Sequence, residues 1–350
     1  MVVCRPLISV IIPTYNAAPY IGETLDSVLS QTYPRKEIIV IDDGSTDSTP
    51  QSLEAYNSTV RSIRQENAGA GAARNAGVKA ASGDYIAFLD ADDLWLPEKL
   101  DVQMRIAEKH PESALIACDG VRFDDTGARA TRLIGASLSN RLDLTAEGEV
   151  TGYFYRDFIK GNLIPAPAQT LIARSVVDSV GPMLEDVLTC EDWDYYLRIA
   201  LGHLMTFHNH SLVRYRHRPS SLSGPEELRH FRWTLDLIHV LRRHLHLCRL
   251  EDRPHVARGI KTHIQRQAWA AYYYGRRHDL AYARSYLIQL WRLAPSEWLP
   301  LCLLIALHFP ETVASRMSRL TSRLTGLRRS EKADSCGAAH ANHWASTVET

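Results

Sequence analysis

The chain has 350 residues, 45% of them hydrophobic, with 40 basic and 40 acidic side chains and no formal net charge. That length holds one large domain or two ordinary ones around a sizeable core, and the charge balance argues against a nucleic-acid partner. No apolar stretch reaches the roughly 20 residues of a membrane-spanning helix. Arg5 and Pro6 precede a short strand-like run rather than a secretory leader. Six cysteines lie scattered without zinc-type spacing, which predicts reduced thiols in a cytoplasmic protein.

In chain order, Ile8 to Ile12 reads as a buried strand stopped at Pro13. Ile21, Leu25, Val28 and Leu29 recur at helical spacing after Pro19. Ile38 to Ile41 is a second buried strand that ends in Asp42 and Asp43. Strand, helix, strand predicts a βαβ unit, hence a parallel sheet with a right-handed crossover. Val60 to Ile63 is a weak third strand, and Ala70 to Ala81 a small-residue helix able to pack closely on the sheet. Tyr85 to Leu89 is a further buried strand. It releases Asp90, Asp92 and Asp93 within four positions. Carboxylates that close repel one another unless a cation stands between them, and hard oxygen ligands suit Mg²⁺ or Mn²⁺. In an open α/β sheet ligands bind outside the carboxyl ends of the strands, so both acidic strand ends point to one site.

Pro97 opens another helix, with Leu100, Met104 and Ala107 on one face. Strands are expected at Leu115–Phe123 and Ala168–Ala173, with a polar excursion over 126–152 between them. Trp193, Tyr196, Leu197, Ala200 and Leu201 fit a buried helix face. A last strand runs from His208 to His217 into a Ser/Pro/Gly loop at 218–225. The reading therefore divides the chain into an α/β domain over 1–225, a helical region over 226–330 and a small, polar, disordered tail over 331–350.

Four segments carry a resemblance: Ser9 to Asn16 (SVIIPTYN), Ile41 to Asp47 (IDDGSTD), Asn67 to Gly77 (NAGAGAARNAG) and Phe88 to Asp93 (FLDADD). In that order they resemble the family 2 glycosyltransferases, and Cys190 to Ala200 (CEDWDYYLRIA) is similar to that family's acceptor-side motif. The resemblance covers roughly the first two thirds of the chain. It implies a GT-A fold, a Rossmann-like mixed sheet flanked by helices, and an inverting transfer of a sugar from a nucleotide donor, UDP-linked in the first instance, to a hydroxyl acceptor.

The chemistry then falls on named residues. A carboxylate at the end of the second strand can accept a hydrogen bond from uracil N3–H or a ribose hydroxyl, and the resemblance gives that role mainly to Asp42, with Asp43 beside it. Pro13 and Tyr15 end the neighbouring strand, where the Tyr15 ring can pack on the base. Gly69, Gly71 and Arg74 do not make a dinucleotide fingerprint, because arginine replaces the third glycine. Arg74 reads either as a phosphate contact or as a brace for the acidic edge. Asp90 and Asp92 form the Asp-x-Asp that binds metal and diphosphate in the family, the cation being Mg²⁺ or Mn²⁺. Asp93 either caps the following turn or touches ligand. His217 occupies a position where related enzymes have a group closing over diphosphate or metal. By resemblance Asp192 is the general base, with Glu191 as the alternative base or an acceptor contact.

In the C-terminal third, Trp298 to Phe309 is apolar and reads as either a buried or an interfacial helix. Arg316, Arg319, Arg323, Arg328 and Arg329 follow it. Such a basic stretch suits an anionic bilayer, so a peripheral membrane contact through 298–329 is expected, with a surface polysaccharide or lipid-linked glycan as acceptor. Two other functions stay open: a nucleotidyltransferase, disfavoured because no glycine-rich phosphate loop with lysine follows the first strand, and a non-catalytic nucleotide-sugar-binding module.

Overall fold

The computed structural model describes residues 5–124, 131–133, 148–217, 227–277 and 279–308. The chain falls into two compact units, residues 1–260 and 261–350. The helix Glu227–Leu247, which the sequence reading grouped with the helical region, belongs to the first unit.

Unit one begins as expected. Strand β1 (Ile8–Thr14), helix α1 (Ile21–Leu29), strand β2 (Lys36–Asp42), the short helix α2 (Thr49–Glu54), strand β3 (Arg61–Arg64), helix α3 (Ala70–Ala80) and strand β4 (Tyr85–Phe88) follow one another. They build a parallel run in the order β3-β2-β1-β4. Pairing of β1 with β4 ends at Ile11 and Phe88. Pro13, which has no N–H to give, stands two residues beyond that last pair.

Strand β5 (Leu94–Trp95), helix α4 (Lys99–Lys109), strand β6 (Ser113–Phe123) and the short strands β7 (Thr131–Arg132) and β8 (Glu149–Gly152) come next. Helix α5 (Tyr155–Lys160), strand β9 (Thr170–Ala173), helix α6 (Arg174–Val180), helix α7 (Glu191–Gly202), strand β10 (Leu204–Arg216) and helix α8 (Glu227–Leu247) complete the unit. The sheet continues from β4 through β9, β6 and β10 to β5, with β7 on β6 and β8 on β10. Strand β9 runs antiparallel to both its neighbours, while β6 and β10 are parallel. The sheet is therefore mixed, flanked by helices.

The core lies on both faces of the parallel strands. Ile8, Val10, Ile12, Ile21, Leu25, Val40 and Ala87 are fully buried in one cluster. Helix α3 closes on the other face, and its small residues explain how. A Cβ at Gly77 would stand 2.2 Å from Cγ2 of Ile11, and one at Gly71 would stand 2.1 Å from the Leu184 carbonyl oxygen. Only glycine lets the helix approach the sheet that far at Gly77, and the segment before Glu191 that far at Gly71.

In unit two the C-terminal part of helix α9 (Arg253–Arg277), helix α10 (Leu280–Leu293) and helix α11 (Leu299–Ala306) pack on one another. Ala283, Tyr286, Leu287, Leu290, Leu299 and Leu303 are buried. No described helix is long and apolar enough to cross a membrane.

Candidate active site

The carboxyl ends of β1, β2, β3 and β4 bring the first group of residues named from sequence to one edge. Tyr15 follows β1 with half its surface open, at 51% exposure. Asn16 has positive φ (49°) and ties this strand end to the next loop: its amide donates to Ser45 Oγ at 3.0 Å, and its Oδ1 accepts from the Thr46 amide at 2.8 Å.

Asp42 and Asp43 part company. Asp42 Oδ1 accepts the Ser45 amide at 2.9 Å and Oδ2 lies 3.1 Å from an Arg64 nitrogen. Asp43 accepts from Gln65 Nε2 at 2.7 Å and from the amides of Ala68 and Gly69, each at 2.9 Å. Its carboxylate thus gathers the loop that leads into α3, where ionised acids are favoured by the helix dipole.

Arg74, on the second turn of α3, is buried and bridges two acids. One nitrogen donates to Asp90 at 2.6 Å and another to Glu191 at 2.5 Å. Of its two sequence-based readings, this geometry matches the brace. The flanking carboxylates, Asp90 first, hold its guanidinium above its usual pKa despite burial.

The turn after β4 is pinned from two sides. Thr24 Oγ1 donates to the carbonyls of Ala91 and Asp93, each at 3.0 Å. The Arg216 amide donates to Asp93 Oδ1 at 2.9 Å, and its guanidinium reaches the Asp92 carbonyl at 3.0 Å and Glu23 at 2.6 Å. Asp93 is fully buried, and burial, with Asp92 and Asp90 alongside, pushes its carboxyl well above the usual range. Asp90 and Asp92 keep partial exposure. Sequence reasoning picked out His217 and passed over Arg216, its neighbour. His217 follows β10 directly, and its amide donates to the Phe123 carbonyl at 2.8 Å. Among the described residues no group of three or more His, Cys, Asp or Glu side chains is gathered to hold a metal ion, so His217, Asp90 and Asp92 do not form a complete protein cage.

The second half of the site is the start of α7. Cys190 there takes the left-handed conformation at φ 67°, uncommon for a residue with a Cβ. It sets Glu191 and Asp192 in the first turn. Trp193 anchors that turn: it is 1% exposed, and its indole N–H donates to the Phe158 carbonyl at 2.9 Å. Glu191 faces Arg74. Asp192 accepts the Trp193 amide at 2.7 Å and, among the described residues, pairs with no cation. Burial, then the neighbouring Glu191 charge, pushes its carboxyl up to about 7, against the opposing pull of Arg74. The bridge Asp90–Arg74–Glu191 thus joins the acidic strand end to the helix that carries Asp192. Arg64 and Arg216 were missed from sequence, because an arginine beside a strand end carries no motif of its own.

This architecture has relatives. Residues 9–177 match the sequence profile described as Glycosyl transferase family 2. A Bacillus subtilis protein provisionally named teichuronic acid biosynthesis glycosyltransferase TuaG is 42% identical over 130 residues, 34% of this chain and 52% of that one. Another from the same organism, provisionally named glycosyltransferase EpsH, is 28% identical over 270 residues, 71% of this chain and 77% of that one. The chain spans between 34% and 52% of the length of the curated relatives it matches first. Among solved structures, a mannosyltransferase from Pyrobaculum calidifontis shares the fold at a TM-score of 0.53 and 18% identity, over 93% of this chain and 82% of that one. Profile, relatives and architecture agree with the four motifs between Ser9 and Asp93, and over residues 9–177 the chain is of the glycosyl transferase family 2 type, on a mixed α/β fold similar to GT-A.

Proposed function

We propose that the chain transfers a sugar from a nucleoside-diphosphate donor to a hydroxyl of a glycan or lipid-linked acceptor, with inversion at the anomeric carbon. The observation that carries this reading is the bridge Asp90–Arg74–Glu191 beside Asp192. It fixes a base-bearing helix turn against an acidic strand end, the two halves such a transfer requires.

Asp192 takes the acceptor's proton as its oxygen attacks. A base held near 7 is matched to work at neutral pH. Trp193 and the buried α7 face hold it in place. Inversion follows when the acceptor approaches opposite the departing diphosphate. Tyr15 offers its open ring to the base, Pro13 shapes the strand end that presents it, and Asp42 offers an acceptor oxygen. Asp43 serves the donor indirectly, by holding the loop 65–69.

The turn after β4 fits a divalent cation. It offers hard carboxylate oxygens from Asp90 and Asp92, and Mg²⁺ is commonly held by one or two carboxylates with substrate phosphates completing the sphere. A cation bound there supplies Lewis-acid stabilisation of the leaving diphosphate, with His217 at the rim.

The name of the TuaG relative supports a cell-surface polysaccharide as acceptor. A cytoplasmic enzyme touching the membrane periphery suits such a product. Unit two supports that contact: Trp298 is 67% and Ile305 46% exposed, Leu301 lies between them at helical spacing, and no charge interrupts Trp298 to Leu307. The arginines at 316–329 supply the matching charge for anionic lipid.

The test is donor turnover: nucleotide sugars are incubated with the protein and Mn²⁺, and nucleoside diphosphate is measured with and without EDTA. Release that EDTA abolishes is expected. Release undiminished in excess EDTA would remove the metal from this reading, and no release from any donor, with or without candidate glycan acceptors, would remove the transferase reading itself.

A further inference from the structure

Helix α7 begins in an unusual way. An N-cap residue normally takes an extended conformation and offers a side-chain oxygen to the first free amides. Cys190, the N-cap here, is left-handed at φ 67°, and its side chain makes no capping hydrogen bond. A residue with a Cβ keeps that conformation only where its surroundings impose it. The residues on either side show what does. Glu191 is tied to Arg74 of α3 at 2.5 Å. Thr189 is tied to α8: its amide and its hydroxyl both donate to Asp236 Oδ2, at 3.1 and 3.0 Å. Cys190 thus lies between two anchors set on different helices. Its thiol also turns to α8, 3.7 Å from the Trp233 carbonyl.

The two anchors do different work. Arg74 grips the first residue inside the helix. Asp236 grips the chain before the strained residue, and so decides how the backbone enters the turn. Asp236 is 6% and Cys190 5% exposed, so water competes little for these bonds. Trp233, one helical turn before Asp236, lies against Trp193 with ring centres 5.8 Å apart, which fixes the spacing of α8 and α7. With the Thr189–Asp236 bonds cut, rotation of Cys190 back to negative φ relieves the strain, and Asp192, two residues on, moves with it. Asp236 lies well beyond residues 9–177, the span that the family profile matches.

We propose that Asp236 is a positioning residue for proton abstraction: through Thr189 it holds Cys190 in the left-handed conformation and so aims Asp192. This deepens the transfer reading above and rests on Asp192 as its base. The strain makes the effect specific. Glycine takes positive φ about as readily as negative, so in Cys190→Gly the turn keeps its shape unaided and the rate no longer depends on Asp236.

The experiment combines transfer kinetics, calorimetric donor binding in Mn²⁺ and thermal melts. It compares the full chain with Asp236→Ala, each alone and with Cys190→Gly or Cys190→Ala added. Asp236→Ala should lower kcat about 10–100-fold, the scale of a misaimed reacting group, with donor affinity unchanged. Adding Cys190→Gly should return most of that loss. Adding Cys190→Ala, which removes the thiol and keeps the strain, should return none. Should Asp236→Ala fail to fold, Thr189→Val, which loses only the hydroxyl donor, should give the same pattern on a smaller scale. An Asp236→Ala variant that keeps its kcat would overturn the proposal. So would a loss that Cys190→Gly does not return, or that Cys190→Ala returns equally. A wild type that transfers no sugar would overturn the transfer reading, and with it the aiming of Asp192. The clamp itself is then read by the melts: Cys190→Gly should stabilise the wild type, where the strained turn is held, more than Asp236→Ala, where it has relaxed. Equal shifts would overturn the clamp as well.

Discussion

At Asp192 burial and the Glu191 charge act against Arg74, and burial prevails, leaving the carboxyl at about 7. A base must be ionised to accept a proton, so turnover should fall as pH drops through that value and level off above it. The acid limb of kcat/KM measured between pH 5 and 9 checks this, and a flat profile would take Asp192 out of the rate. Arg74 sets the same limb indirectly. Because its charge holds the Asp192 carboxyl down, Arg74→Met should move the limb to higher pH. It also leaves Asp90 and Glu191 facing each other without a cation. Breaking a buried pair this way costs about 3–5 kcal/mol, readable as a lower urea midpoint. Arg74→Lys should recover only part of either effect, since an ammonium cannot span two carboxylates as a guanidinium fork does. The motif made Arg74 visible in the sequence, but not which two acids it would join, because Glu191 lies 117 positions away along the chain.

Among the elements, the βαβ start was legible because buried parallel strands are continuous apolar runs. β1, β2 and β4 all lie where Ile8–Ile12, Ile38–Ile41 and Tyr85–Leu89 placed them. Strand starts and short elements were not. The strand expected from Ala168 begins at Thr170, after a 3₁₀ turn at Pro167–Gln169, and the last strand starts at Leu204, four residues before His208. Helices α2, α5 and α6 have six or seven residues, too few for a helical period to show. The close packing of α3 gives a direct test. Gly77→Ala should destabilise the fold by about 1–3 kcal/mol through overpacking, whereas Gly202→Ala, with nothing within 4 Å of its added Cβ, should be neutral or mildly stabilising. Denaturation midpoints decide between them. Lys99 in α4 is a second element-scale feature invisible to pattern reading. It is fully buried, donates to the Thr170 carbonyl at 3.1 Å and lies 3.8 Å over the Trp95 ring. Burial lowers its pKa from 10.5 to about 7. The unfolded chain therefore binds the extra proton across that range, and stability from this group is lost as pH falls toward 7. The wild type should gain melting temperature from pH 7 to 9 relative to Lys99→Met, and parallel curves would contradict this origin.

For the whole molecule, the sequence reading placed an α/β domain over 1–225, and the first compact unit extends to Ile260. The difference has a physical source. Helix α8 reads as one more amphipathic helix, but Asp236 accepts from Thr189, His244 reaches Tyr155 Oη at 3.2 Å, and Trp233 lies against Trp193. It buttresses α7 and so the turn that holds Asp192. Such partners are set by folding and leave no local signature. The polar excursion at 126–152 lies mostly outside the described residues, apart from β7 and β8, and so do the tail expected at 331–350 and the arginine run. The membrane proposal can still be tested on the whole chain. Co-sedimentation with anionic vesicles should weaken with salt and fall on Trp298→Ala with Ile305→Ala, and equal partitioning of that double variant would reject it.

The central claim is that donor binding and proton abstraction belong to opposite ends of the Asp90–Arg74–Glu191 bridge. Asp192→Asn tests it most directly, because the amide keeps the shape of the carboxylate and cannot take a proton. Sugar transfer by this variant, measured beside calorimetric donor binding in Mn²⁺, should show kcat lower by about 10²–10⁴-fold with donor affinity nearly unchanged. A variant that transfers sugar at the wild-type rate, or one that loses donor binding instead, would contradict the account.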